Sequence, residues 1–563
     1  MTGTNMTEDR DELHFLPLGG SGEIGMNLNL YGFGPKDRQD WIMVDCGVSF
    51  ADIYYPGIDL LMPEIGFIED RKDHLLGMII THAHEDHVGA VAHLWPYLRC
   101  PVYATPFTAI LLRGKLEEQG LLDQVEIHEI PLGGSFTAGP FEVEYVTLTH
   151  SILEPNALRI KTPLGNIFHT GDWKIDPDPL IGDAVDATQM GNIGDEGVLA
   201  LVCDSTNVFN VQPTGSEKAV RDNMIQLLSG KKGRIFCTTF ASNVVRVETL
   251  AKVAEASGRH LCLVGASLKR NVAAARKAGY LTDFPPVVDE EEAGYLPPEK
   301  VLFVCTGCQG EARAAMMRIA QDNHRSISIS RGDTVVFSSK IIPGNELTLG
   351  RLHNHLVDKG ADVITEKDAF VHVSGHPGQK ELLQMYNWTR PDILVPVHGE
   401  LRHMTHQAEL GQSHGIEKTI VPRNGHRIRL APEGPELLDE VEHGYMALDG
   451  QFLVSAEDEA IVTRRRLMYN GGLVVSLVLK PDFDLACTPE ITILGLVDDD
   501  EGGLIPYIRQ HILDRYDRLP DRVLRNDSAL KEEIRIVARR SGKAFGNRET
   551  GPVTIVNILR LDG

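Results

Sequence analysis

The stretch IITHAHEDHVGA, residues 79–90, follows an apolar run and packs His82, His84, Glu85, Asp86 and His87 into six consecutive positions. Each of those side chains can hold a metal or carry a proton. Successive side chains of a strand point to opposite faces, so an extended chain here would aim His82, His84 and Asp86 one way and Glu85 the other. His87 then falls at the turn into the helix-like VGAVAHLW and approaches from another side, while Glu85 is expected to be merely solvated. Three imidazoles and a carboxylate suit zinc. Shared between two metals, they leave both short of ligands.

Further ligands stand at the ends of other apolar runs: His150 closes VTLTH, Asp172 lies in IFHTGDW, and His398 lies in ILVPVHGE. Asp172 could bridge two metals. Asp45, which ends IMVDCG, is placed to orient a ligand from behind. One strand-terminal histidine alone is usually a cap or a core-edge residue. HxHxDH with three more strand-end ligands in this order reads as a metal site.

The totals bound what surrounds that site. A chain of 563 residues predicts two to four domains, and 42% hydrophobic with 24% charged residues is the balance of a soluble globular protein. A net charge of −24 argues against an all-over basic nucleic-acid binder. It leaves room for an enzyme that grips phosphate in one metal-lined cleft. No apolar run approaches the roughly 18 residues of a membrane helix. The N-terminal MTGTNMTEDRDELHF is polar and acidic, without the apolar centre of a secretory signal, so the cytoplasm is the expected compartment. Eight scattered cysteines read as reduced, buried thiols, and the single CTGC pair, Cys305 and Cys308, has no second pair to complete a zinc site.

Along the chain, residues 12–200 alternate strand-like and helix-like segments with chemistry at strand ends, as in an αβ sandwich. From about 216 to 374 the texture becomes repeated βαβ units, which predicts a parallel sheet. DILVPVHGELRH then returns to a histidine-ended strand, so the βαβ block reads as a domain inserted into the first. A polar connector carrying TRRR precedes a third unit. GSGEIG, residues 20–25, mimics a dinucleotide fingerprint, but the following MNLNLYGF alternates like a strand where a helix would be required. Near the C-terminus, Lys531, Arg535 and Arg539 recur at steps of four opposite Leu530, Ile534 and Val537, which predicts a solvated face behind a packing stripe.

FASNVVR, FSSKIIPGNE, HVSGH and PVHGELRH together resemble the ribonuclease J family, β-CASP nucleases on the metallo-β-lactamase fold, over nearly the whole chain. The resemblance implies a metallo-β-lactamase αββα sandwich with an inserted β-CASP α/β domain and a small α+β C-terminal domain. Its limits would be 1–212 and 375–446 for the sandwich, 213–374 for the insert, 447–466 for a linker and 467–563 for the last domain. It further implies two zinc ions, one on His82, His84, His150 and Asp172, the other on Asp86, His87, Asp172 and His398. Asp204, His376 and His398 match the three β-CASP motifs. The chain departs from the family at TGCQGEA, where Cys308 and Ala312 stand, and at LDGQFLVSAED. The second departure argues against the calcium that some members bind through an aspartate like Asp449 and a loop like FADIYY.

Two adjacent metals can activate a water and clamp the attacking and leaving oxygens of a phosphodiester. His376 is the expected proton donor to the leaving 3′-oxygen, with Asp86 handling the proton of the water. His372, Val373, Ser374, Gly375 and His376 are expected to hold RNA and its 5′-phosphate. A pocket one nucleotide from the metals would make a 5′→3′ exonuclease preferring 5′-monophosphate single-stranded RNA, with internal cutting as a second mode. The resemblance also implies a homodimer or homotetramer active in RNA decay and rRNA maturation. Manganese or magnesium could replace zinc in turnover. The rival readings are another hydrolase on the same fold and a non-catalytic RNA-binding scaffold, the latter expected to have lost ligands.

Overall fold

The computed structural model describes residues 10–36, 38–498 and 502–561. Residues 1–9, which carry much of the polar N-terminal reading, lie outside them. By its internal contacts the chain forms two units, residues 1–49 with 62–444 and residues 50–61 with 445–563.

The first unit contains two facing sheets. Asp11–Gly19, Leu28–Pro35 and Asp40–Val44 run antiparallel, and Leu75–Ile79, Val102–Ala104 and Ile127–Glu129 continue the eight-stranded sheet in parallel. In the seven-stranded sheet, Phe141–Thr147, Asn156–Thr162 and Gly165–His169 are antiparallel neighbours. Ala200–Asp204 and Ile393–Val397 then join Gly165–His169 in parallel. Alternate residues of both sheets, among them Phe15, Tyr31, Val44, Ile79, Phe141, Leu158, Val202 and Val395, interlock in one buried core. The period of two fixes which side chains face that core and leaves the strand ends to carry polar groups.

Strand direction decides where those ends lie. Register pairs His169 with Val202 and Asp204 with Val397, so three parallel strands finish side by side. Phe141–Thr147 lies two antiparallel steps away and therefore ends on the same side. All four carry predicted site residues at or just past their ends.

Between Asp204 and Ile393 the chain builds a five-stranded, all-parallel sheet from Ile235–Thr238, His260–Val264, Val301–Cys305, Thr334–Phe337 and Asp362–Ile364. Helices cover it, including Glu217–Leu228, Val244–Ala256 and Glu346–Asp358. This is the expected inserted domain. Within GEARAAMMRIAQ only Ala315–Ala320 is helical. The strand Leu28–Pro35 follows GSGEIG, so no helix is there to receive a pyrophosphate.

The second unit has its own core, in which Val475, Leu477 and Ile491 pack on Ile508, Ile512, Leu530 and Ile534. Its three-stranded sheet pairs Gly472–Leu479 with Glu490–Leu494 and, in parallel, with Val553–Arg560. The helix Asp527–Phe545 buries Leu530, Ile534 and Ala538 and turns Arg535 outward onto Glu532. The stretch 447–466, expected as a linker, is instead a hairpin of Tyr445–Asp449 and Phe452–Ser455 followed by the helix Glu459–Asn470. Asp449 accepts both guanidinium donors of Arg464, so that carboxylate is engaged by a cation of its own chain. All eight cysteines are free, and all but Cys487 are buried.

Candidate metal centre

The strand Leu75–Ile79 stops before the histidines. His82 and His84 lie in the loop that follows, and Asp86 and His87 in the short helix Glu85–Val88. Alternation along a strand is therefore not what gathers them, as the sequence suggested. Ladder pairing ends at Ile79, and two acidic residues in the first turn favour helix initiation at Glu85. Glu85 is no bare solvated residue either, since Lys115 Nζ lies 2.7 Å from both of its oxygens.

The strand ends bring the remaining residues together. Ligand atoms of His82, His84, His150 and Asp172 lie within 4.8 Å of one another, as do those of Asp86, His87, Asp172 and His398. A third group joins Asp172, Asp204, His376 and His398. Asp172 belongs to all three. Its Oδ2 is 3.3 Å from His87 Nε2, 3.6 Å from His150 Nε2 and 3.8 Å from His82 Nε2.

The outer nitrogen of most of these rings is held. Asp45 Oδ2 accepts from His87 Nδ1 at 2.7 Å, and Asp45 Oδ1 takes the Thr81 amide at 2.8 Å. Thr81 Oγ1 donates to Asp45 at 2.9 Å and so accepts from His82 Nδ1 at 3.0 Å. His150 Nδ1 donates to the Gly375 carbonyl at 2.6 Å, and His398 Nδ1 to Asp172 Oδ1 at 2.6 Å. For His82 and His150 these bonds set the tautomer and leave Nε2 as a bare lone pair facing the cluster. His84 Nδ1 meets His82 Nε2 and His150 Nε2, both at 3.1 Å. Three ring nitrogens thus converge with at most one proton among them. The buried His398 Nε2, although 3.3 Å from Asp86 Oδ2, has no hydrogen-bond partner. A divalent cation fits this donor set, because it supplies the positive charge that converging lone pairs otherwise lack.

Electrostatics divide the cluster. Burial holds His82 and His150 well below the ordinary imidazole value and His84 at about 4, so these rings are neutral and ready to coordinate. For His398 burial acts in the same direction, but Asp172 and Asp86 outweigh it and hold the ring at about 10. Burial also opposes the charge on His376, which Asp204 and Asp172 nevertheless raise. Asp172 is held well below the usual carboxylate range, since the imidazoles around it overcome its burial.

His376 Nδ1 donates to Asp204 Oδ2 at 2.7 Å and lies 3.9 Å from Asp172. Its neighbour Gly375 has no room for a side chain, since a Cβ there would sit 2.6 Å from the His150 ring. In the same loop Ser374 Oγ accepts the His376 amide at 3.1 Å, Val373 joins the core of the inserted domain, and the buried His372 Nδ1 has no hydrogen-bond partner. Sequence reasoning missed Thr81, Asn27, whose amide nitrogen is 3.1 Å from His87 Nε2, and His169, bonded through Nδ1 to Tyr31 at 2.8 Å. Only Thr81 had a signal, its place beside HxHxDH.

Two packed sheets that collect histidines at one end are the metallo-β-lactamase architecture, and a parallel-sheet insertion before the last ligand is its β-CASP form. Comparison with known proteins agrees. Residues 40–190 match the beta-lactamase superfamily domain, and 232–356 the ribonuclease J beta-CASP domain. Residues 360–422 match the Zn-dependent metallo-hydrolase RNA specificity domain, and 459–561 the ribonuclease J C-terminal domain. Ribonuclease J of Sinorhizobium meliloti is 44% identical over 99% of this chain and 98% of its own. Ribonuclease J 1 of Streptococcus pyogenes is 33% identical over 99% and 100%. A crystal structure of a protein of unknown function from Enterococcus faecalis, 17% identical, shares the fold at a TM-score of 0.51 over 74% of this chain and 100% of that one. The chain belongs to the ribonuclease J family: it is a metal-dependent ribonuclease that binds RNA. Among the described residues no helix is long and apolar enough to cross a membrane.

Proposed function

We propose that the chain is a zinc-dependent 5′→3′ exoribonuclease that prefers 5′-monophosphate single-stranded RNA, cuts internally as a second mode, and serves RNA decay and rRNA maturation in the cytoplasm. One observation carries the reading: a single loop, 372–376, bears on the metal cluster at one end and offers an unpartnered ring nitrogen at the other. Gly375 accepts from His150, His376 adjoins Asp172, and His372 Nδ1 is buried without a partner.

In this proposal His82, His84, His150 and Asp172 hold one zinc, and Asp86, His87, Asp172 and His398 the other; manganese or magnesium suits the same N/O donors. Bound there, the two ions would acidify a water and neutralise charge on the phosphodiester oxygens. Asp86, kept ionised despite its burial by His87 and His398, accepts the proton of the water. His376, its Nδ1 fixed by Asp204, offers Nε2–H to the leaving 3′-oxygen. His372, the Ser374 hydroxyl and the backbone of Val373 and Gly375 receive the terminal phosphate. The proposed domain limits are 1–212 with 375–446 for the sandwich and 213–374 for the insert, with the C-terminal domain, expected over 467–563, beginning ahead of 467 because the helix Glu459–Asn470 spans that limit. The proposed assembly is a homodimer or homotetramer.

The test is an RNA labelled at its 5′ end and offered with a monophosphate or a triphosphate. Labelled mononucleotide released only from the monophosphate form is the expected result. Equal internal cutting of both, with no mononucleotide, would sink the exonuclease reading.

A further inference from the structure

Beside the metal cluster, and unused by it, stands a small exposed group of ring and guanidinium side chains. Phe209 is 49% exposed. His406 stacks near it at 5.1 Å between ring centroids and 29° between planes, and His403 lies 5.0 Å away. The Arg402 guanidinium sits 5.8 Å from the Phe209 centroid and is steered by Glu400, which accepts from its Nε at 2.7 Å. Gln379 Nε2 reaches both the Val208 carbonyl at 3.0 Å and His406 Nε2 at 3.1 Å, tying the loop to the helix Leu401–Ser413.

This group is anchored to the catalytic strand ends. Thr206 Oγ1 donates to the His398 carbonyl at 2.9 Å, and Asn207 Nδ2 donates to the His376 carbonyl at 3.2 Å. Val208 is fully buried, so the next residue, Phe209, is presented on a fixed base. Arg402, the second residue of the helix Leu401–Ser413, lies only four residues beyond His398. His403 is 7% exposed, and its Nδ1 has no hydrogen-bond partner.

We propose that Phe209, with His406 and Arg402, is a stacking platform for one base of the RNA strand, flanking the phosphodiester that is cut. The proposal rests on the nuclease reading above. Every base has a π-face, and aromatic rings and guanidinium planes are what proteins use to hold unpaired bases whatever their identity. Stacking would add a grip on the strand that needs no broad positive field, in a chain of net charge −24. Phe209 is a positioning residue in this scheme, and it sets which phosphodiester faces the metals.

The test walks a 2-aminopurine along a 5′-monophosphorylated oligoribonucleotide and follows its fluorescence on mixing with metal-loaded full-length protein, before cleavage. Quenching should peak at one position, vanish in Phe209→Ala and persist in Phe209→Tyr. An abasic sugar at that position should raise the KM of the wild-type protein roughly 5- to 100-fold and leave that of Phe209→Ala nearly unmoved. Equal quenching in wild type and Phe209→Ala, or an equal abasic penalty in both, overturns the platform and leaves the nuclease reading standing. Position-specific quenching with no cleavage under any divalent metal supports the platform and counts against the nuclease reading alone.

Discussion

The metal cluster has two sides that differ in what surrounds their imidazoles. His82, His84 and His150 face one another, and burial keeps all three neutral although Asp172 lies near each and Asp86 near His84. His87, His376 and His398 sit among Asp45, Asp86, Asp172 and Asp204, which raise all three against the same burial. A group of neutral rings offers lone pairs and little else. A group of rings paired with carboxylates can also store and move a proton. In the proposed site imidazoles would coordinate on both sides, His82, His84 and His150 on one and His87 and His398 on the other. The carboxylates set the second side apart by also raising His376, which is free for proton traffic.

The sharpest way to break this contrast is at the neutral side. His84→Ala removes the ring on which two others converge, so metal should be lost from the protein and RNA cleavage should fall by at least about 10³-fold. Metal analysis of the purified variant beside a cleavage assay checks both halves. Full activity with metal retained would remove the basis for the cluster.

On the proton-handling side, Asp204→Asn keeps shape but takes away the charge that anchors His376. Metal should be retained while cleavage drops by about 10²-fold, because the ring loses its fixed tautomer. The pH profile carries a sign. Asp204 raises the His376 value, so the protonated donor persists above the ordinary 6.5, and wild-type activity declines only as pH rises through the raised value. In the variant that decline should move to lower pH. An unmoved profile would mean that His376 does not supply the proton.

Gly375→Ala tests the seam between the sides. The added Cβ would press on the His150 ring, and the loop must retreat from the hydrogen bond between its carbonyl and His150. A roughly tenfold weaker hold on metal, read by competition with a chelator, is the expected size for a disturbed orienting contact. Since the same movement shifts His376, cleavage should suffer with it.

The ligands themselves were legible in the sequence because strand ends announce themselves: an apolar run, then His or Asp. Their local geometry was not. Residues 80–84 leave the sheet and Glu85–Val88 turns helical, which depends on where pairing with Val102–Ala104 stops, a fact of the neighbouring strand. The supposed linker hid a hairpin whose signal, Gly450 at the first turn position, was present: Asp449 pairs with Phe452, and Gly450 takes the positive φ such a turn needs. TRRR looked like a solvated tract, yet Arg464 closes on Asp449. Thr81, Asn27 and Phe209 escaped because each works through a hydroxyl, an amide or a ring face in contacts that only the folded chain creates.

Glu85 is where the reading of the opening motif changed, and it predicts the smallest effect. It lies inside HxHxDH, yet its carboxylate turns away to Lys115, and no metal group includes it. The pair is partly solvent-exposed, with the glutamate side chain 52% accessible, so water screens it and little stability is at stake. Glu85→Gln should therefore keep metal content and change cleavage by no more than about twofold, with thermal stability shifted by less than about 1 kcal/mol. His84 and Glu85 are adjacent in sequence and both could hold a metal, but the turn aims the imidazole into the cluster and the carboxylate at Lys115. A large loss of metal in Glu85→Gln would show that the carboxylate swings into the cluster, and the division between the two sides would have to be redrawn.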